Sequence, residues 1–261
     1  MNVPKENARQ QSKCQTCPAR PSGICGAAKT EALAELDRSS SLKLFNRGET
    51  IFSADADASF VSIVVHGVVK LVNTCEDGAE KIVGLLYPTA FYGRMTSERL
   101  GLSYEAATDT TICRIDRADF QSITARYPVI ERRLLKATMD ELDRMRTWVA
   151  LSSKRTTLQR LATLLAVFAS RADPNNYERE TEPVKLSLDR RDMADVLGTT
   201  VETLCRNMQQ LAREKIIEVH GTHSFRVASW TRLIAKTGEA HSSLDRIGKM
   251  RPHVDPDNIH L

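Results

Sequence analysis

Arg190–Gln209 reads RRDMADVLGTTVETLCRNMQ. Its residue types fall at the spacing of two helices joined by a tight turn. A small residue is needed where the helices touch, and Ala194 supplies it. A turn-tolerant residue is needed four positions on, where Gly198 stands, and a branched apolar residue six further, where Leu204 stands. Met193, Val196, Leu197 and Met208 complete the apolar side. The second helix, predicted over Thr200–Arg213, presents Thr200, Val201, Glu202, Cys205 and Arg206 near its start. The N-terminal part of such a helix is what reaches base edges in a major groove. Arginine pairs bidentately with guanine, and glutamate accepts from cytosine N4. Charge alone adds little, with seven Lys/Arg against six Asp/Glu over 185–226.

Working outward, Ile217–Val227 is predicted to be a hairpin wing, and Leu158–Ser170 a helix before the unit. Asp173–Pro183 is a polar loop. Further upstream, Leu135, Thr138, Leu142, Met145 and Val149 step by three and four. That is a heptad seam on a helix from about Val129 to Leu151. A core-facing helix would show the same pattern; the seam reading makes Leu135, Leu142, Met145 and Val149 a dimer contact. Between Leu42 and Phe120 the signal is short β runs broken by turns: Phe60–Val65, Val68–Val72, Lys81–Leu86 after Asp77-Gly78, and Thr110–Asp116. Many short strands with no long helix between them suggest a small barrel or jelly roll. A short helix is expected at Glu31–Asp37.

The fold class is therefore α+β: an N-terminal β-roll, a long dimerisation helix and a C-terminal winged helix-turn-helix. The expected divisions are a cysteine-bearing segment at 1–30, the roll at 31–125, the dimer helix at 126–153, the winged unit at 154–238 and a disordered tail at 239–261. Residues 1–13 are also expected to be disordered.

Six cysteines are present. Cys14 and Cys17 stand in C-x2-C spacing, with Cys25 following in a Pro/Gly-rich loop. Three thiolates so close can close around one metal centre. A fourth ligand would come from Cys75, Cys113 or Cys205. Zinc and an iron–sulfur cluster both take four thiolates, so spacing leaves the metal open. Cys113 shares parity with Ile115, so a buried core thiol is its plain alternative.

The 261 residues carry 37 Lys+Arg against 33 Asp+Glu, a net charge of +4. That balance permits a nucleic-acid partner without requiring one. No run of about 18 apolar residues occurs, so no membrane span is expected. The start, MNVPKENARQQSK, has no apolar core, so no secretory signal is expected and a cytoplasmic location follows. His66 is the one histidine of the β region. Converging histidines, a P-loop, a G-x-G-x-x-G and a Ser-His-Asp set are all missing, so no enzyme is expected.

In its order of parts the chain resembles the CRP–FNR family of bacterial transcription regulators, over about residues 14–236. The segments CQTCPARPSGIC, EDGAEKIVGLLYPTAFYGR, TICRI, MDELDRMRTW and DMADVLGTTVETLCR are most similar to the FNR branch, in particular its FnrL-type oxygen regulators of alphaproteobacteria. The resemblance implies a [4Fe–4S] cluster on Cys14, Cys17, Cys25 and Cys113. It also implies a homodimer on a palindromic DNA site with TTGAT-type halves, contact with RNA polymerase when activating, and loss of DNA binding in oxygen. Where the branch commonly has Glu-x-x-Ser-Arg, this chain has Glu202-x-x-Cys205-Arg206. That departure touches one base contact and raises a second redox-sensitive thiol as an alternative. The cyclic-nucleotide subfamily's Gly-Glu and Arg-Ser pairs are missing from Gly93-Arg94-Met95 and Leu102-Ser103-Tyr104-Glu105, so no cyclic nucleotide is expected. The competing reading is the same fold with structural zinc or no metal, under another signal.

Overall fold

The computed structural model of the chain describes residues 12–57, 59–95, 101–152, 156–172 and 183–238. The expectations for residues 1–11, 173–182 and the tail from 239 lie outside them.

A helix α1 (Thr30–Ser39) leads into eight strands: β1 (Ser40–Phe45), β2 (Thr50–Phe52), β3 (Phe60–His66), β4 (Val69–Thr74), β5 (Glu80–Leu86), β6 (Phe91–Tyr92), β7 (Ser103–Ala106) and β8 (Thr110–Asp116). They form two antiparallel four-stranded sheets, ordered β1-β8-β3-β6 and β2-β7-β4-β5. Four of these strands, β1, β2, β6 and β7, are too short or too exposed to carry a clear periodic signal. β1, for example, buries only Ser40 among its six residues.

Alternation along the first sheet gives it two faces. Val64, Tyr92 and Ile112 point into the roll and pack with Phe52, Val69 and Tyr104 from the second sheet. Arg114 shares that inward face, its guanidinium 4.0 Å from the Phe60 ring centre and 5.0 Å from that of Phe52. Val61, Ile63, Cys113 and Ile115 point the other way, into a second apolar cluster with Ile24, Leu36, Phe120 and Ile130.

The β signal expected up to Phe120 ends earlier, at Asp116. The carboxylate of Asp116 accepts from the backbone N–H of Ala118 and Asp119 and so caps α2 (Arg117–Arg126). Pro128, suited to a first helical turn, opens the 25-residue α3 (Pro128–Ser152). The winged unit is built from α4 (Thr157–Ala172), β9 (Val184–Lys185), α5 (Arg190–Val196), α6 (Val201–Arg213), β10 (Ile217–His220), β11 (Ser224–Val227) and α7 (Trp230–Thr237). β9 adds a third strand to the wing hairpin. α7 had no counterpart in the sequence reading. It packs on α4 and buries Leu233 and Ile234, closing the unit's core.

Candidate functional site

The cysteine loop is held from both sides. Its turns are closed by backbone bonds from Arg20 to Cys17 at 3.1 Å and from Gly23 to Ala19 at 2.9 Å. A Cβ on Gly26 would lie 2.6 Å from the Pro21 carbonyl oxygen, so only glycine permits this close approach. The backbone N–H of Cys14 donates to Asp37 Oδ1 at 2.9 Å, tying the loop to α1. Lys13, within the segment expected to be disordered, donates to the carbonyl of Ser40. From the far side, Arg133 of α3 donates to the carbonyls of Pro21 and Ser22, at 3.3 Å each.

This packing brings Cys14, Cys17, Cys25 and Cys113 into one apolar cluster on the helix-facing side of β8. Cys75 lies in the β4–β5 turn and Cys205 on α6, and neither belongs to that cluster. Burial pushes the Cys14 thiol up to about 11, and Cys113 adds to the rise. Cys25 is raised further by burial, then by Cys113, Cys14 and Cys17. Burial also raises Cys113, while the Ser40 hydroxyl opposes it. The thiols of Cys14, Cys25 and Cys113, raised mainly by burial, therefore favour the protonated form until a positive centre compensates their charge. Among the described residues, no three His, Cys, Asp or Glu side chains are gathered to hold a single metal ion. Asp37, Ser40 and Arg133 escaped the sequence reading. They lie 23 to 112 residues from their partners, and no local pattern marks them.

Helix α3 has two working sides. Ile130, Leu134 and Ala137 pack against the cysteine cluster. Leu135, Met139, Leu142, Met145 and Val149 are exposed, at 40 to 67%. The four residues expected at a dimer contact thus form an exposed apolar stripe, without a partner among the described residues.

In the winged unit, Met193, Ala194, Leu197, Leu204 and Met208 are buried together, while Val196 is half-buried. Gly198 adopts φ +58°, the left-handed turn that favours glycine. Thr200 caps α6 by accepting from the Thr203 N–H at 3.2 Å. Thr200, Val201, Glu202 and Arg206 are exposed and Cys205 is half-buried, all on the first two turns. Arg206 donates to Thr203 Oγ1 at 3.3 Å, which holds the guanidinium over that surface.

Comparison with known proteins agrees with both halves of this architecture. The profile of the Crp-like helix-turn-helix domain matches residues 159–236, and that of the cyclic nucleotide-binding domain matches residues 42–127. The chain is 33% identical to the transcriptional activator protein FnrL of Cereibacter sphaeroides over 229 residues, covering 87% of this chain and 92% of that protein. It is 34% identical to a probable transcriptional activator of Rhizobium leguminosarum bv. viciae over 206 residues, covering 79% and 85%. The solved structure of FixK2 from Bradyrhizobium japonicum superposes with a TM-score of 0.67 at 25% identity, covering 77% of this chain and 98% of that one. Two domains in this order, matched along most of their length to such activators, mean that the protein is not an enzyme and belongs to the CRP–FNR family of transcription regulators, in its FNR branch.

Proposed function

We propose that the protein is an oxygen-responsive regulator in which Cys14, Cys17, Cys25 and Cys113 hold a [4Fe–4S] cluster. The observation that carries this reading is that those four cysteines, three from one loop and one from β8, lie in one apolar cluster against the first turns of α3. A cluster held by those four cysteines would supply an oxygen-labile tie between loop and strand. The residues do the rest. Arg133, Ile130, Leu134 and Ala137 transmit the loop's position to α3. The exposed stripe of α3 then pairs with a second copy. A ligand held only in the pairing-competent state shifts the population toward the dimer.

The dimer places two copies of α6 on a palindromic site. Glu202 and Arg206 read bases near each helix start, and Thr200, Val201 and Cys205 border them. When it activates, the bound dimer contacts RNA polymerase. In the roll interior, Tyr92 stacks on Tyr104 at 5.0 Å and both meet the Phe52 ring edge-on. That filling supports control by something other than a cyclic nucleotide. No described helix is long and apolar enough to cross a membrane.

The test is the visible spectrum and the iron and zinc content of protein purified without oxygen, followed through titration with air-saturated buffer. Iron with a broad absorption that changes in air is the expected result. Cys113→Ala should abolish it and Cys75→Ala should leave it. A colourless, zinc-bearing or metal-free protein that binds its site in air would overturn the oxygen reading and leave a regulator under another signal.

A further inference from the structure

The first helix of the helix-turn-helix carries Asp192 and Asp195, and Asp189 caps it. These three residues recur every three positions, which puts them on one face. Each meets a donor on the β-roll. Asp189 pairs with Arg47, between β1 and β2, at 3.3 Å. Asp192 pairs with Lys70 of β4 at 3.1 Å, and Lys70 also meets Glu105 of β7 at 3.1 Å. Asp195 Oδ2 accepts from the Ile82 N–H of β5 at 2.6 Å.

The outer pair, Arg47–Asp189, is exposed and weak. The inner group is shielded, with Lys70, Glu105 and Asp192 only 16 to 18% exposed. Apolar contact continues the junction. Val68 and Ala107 of the roll are buried in the same cluster as Leu188 and Met193 of the winged unit, and Arg171 of α4 lies 3.6 Å over the Tyr87 ring. Acidic groups near DNA phosphates oppose binding, so three aspartates on a DNA-reading motif require another reason. They face the roll, while Val201, Glu202 and Arg206 of α6 stay exposed.

We propose that the acidic face of α5 is a clasp through which the β-roll positions the recognition helix, so that roll and winged unit of one protomer act as one body on DNA. This rests on the DNA-binding reading above, and the test separates the two.

Lys70→Glu, Asp195→Ala and the charge swap Lys70→Glu/Asp192→Lys are compared as dimers purified without oxygen. The probe is a duplex with two inverted TTGAT half-sites, and exchange of the Ile82 amide is followed in the same samples. Lys70→Glu should weaken DNA binding by about tenfold at unchanged dimer fraction, because a carboxylate then faces Glu105 and Asp192. Both Lys70→Glu and Asp195→Ala should speed Ile82 exchange, and the swap should recover affinity and protection together. Unchanged affinity in Lys70→Glu, or a swap that recovers neither, overturns the proposal. If the natural protein ignores the duplex, the DNA reading falls; the clasp is then judged by exchange, and an Ile82 amide indifferent to both single changes overturns it.

Discussion

At the scale of single residues, α6 and β8 show what a pattern can and cannot tell. Cys205 is half-buried between Leu204, which is fully buried, and Arg206, which is exposed. It lies on the reading helix and outside the cluster that gathers Cys14, Cys17, Cys25 and Cys113. On the proposed oxygen reading, Cys205→Ser should therefore keep the air-dependent spectral change and the air-dependent loss of DNA binding, while strengthening one polar contact on the half-site, since a hydroxyl donates better than a thiol. Loss of either air response in a titration of that variant would place Cys205 in the sensor. Which further cysteine packs in the same apolar cluster as the N-terminal three is only half legible in the sequence. Alternation put Cys113 on the face of Ile115. That the same face meets the loop around Cys14 depends on Asp37, Ser40 and Arg133, which are distant in sequence.

At the scale of elements, the heptad spacing of α3 predicts a seam, and its stripe from Leu135 to Val149 is open to a partner. The opposite side of the first turns was not foreseen. Ile130 is fully buried against the cysteine cluster, with Leu134 and Ala137 beside it. A heptad count records that apolar residues recur, without saying that a second stripe beside the first serves a different neighbour. The two sides predict separable defects. Leu142→Asp should abolish dimer formation by sedimentation or light scattering, because it sets like charges face to face in an apolar contact. The iron content expected of the proposed cluster should be unchanged, since Leu142 does not belong to the apolar cluster around the cysteines. A dimer that survives this change would move the contact elsewhere. The turn of the helix-turn-helix, by contrast, was legible in full, because Ala194, Gly198 and Leu204 each answer a local requirement.

At the scale of the whole molecule, the junction between the domains went unread, because Asp189, Asp192 and Asp195 look like any solvated face until their partners are known. Lys70 gives a physical check on it. Burial pulls its ammonium pKa down, but hydrogen bonds to Asp192 and Glu105 outweigh this and hold it above the ordinary 10.5. A pKa raised on folding adds stability that is complete below the unfolded value and lost as pH climbs through the folded one. The melting-temperature gap between the natural protein and Lys70→Met should thus stay constant through neutral and mildly alkaline pH, and narrow only above about 10.5. A gap that closes near neutrality would mean that Lys70 holds no such pairing.

The two-sided first sheet bears on how this family can change by insertion and deletion. Along β8, Ile112 and Arg114 look inward among aromatic rings, while Cys113 and Ile115 look outward to the loop. Losing one residue inside β8 ahead of Cys113 would exchange these sides. The thiol would then enter the roll and a guanidinium would face three other thiols. Reading frames of the strand, rather than the identity of any one side chain, are what length variation would destroy first. A length change would be tolerated better in the connections, where no alternation has to be kept.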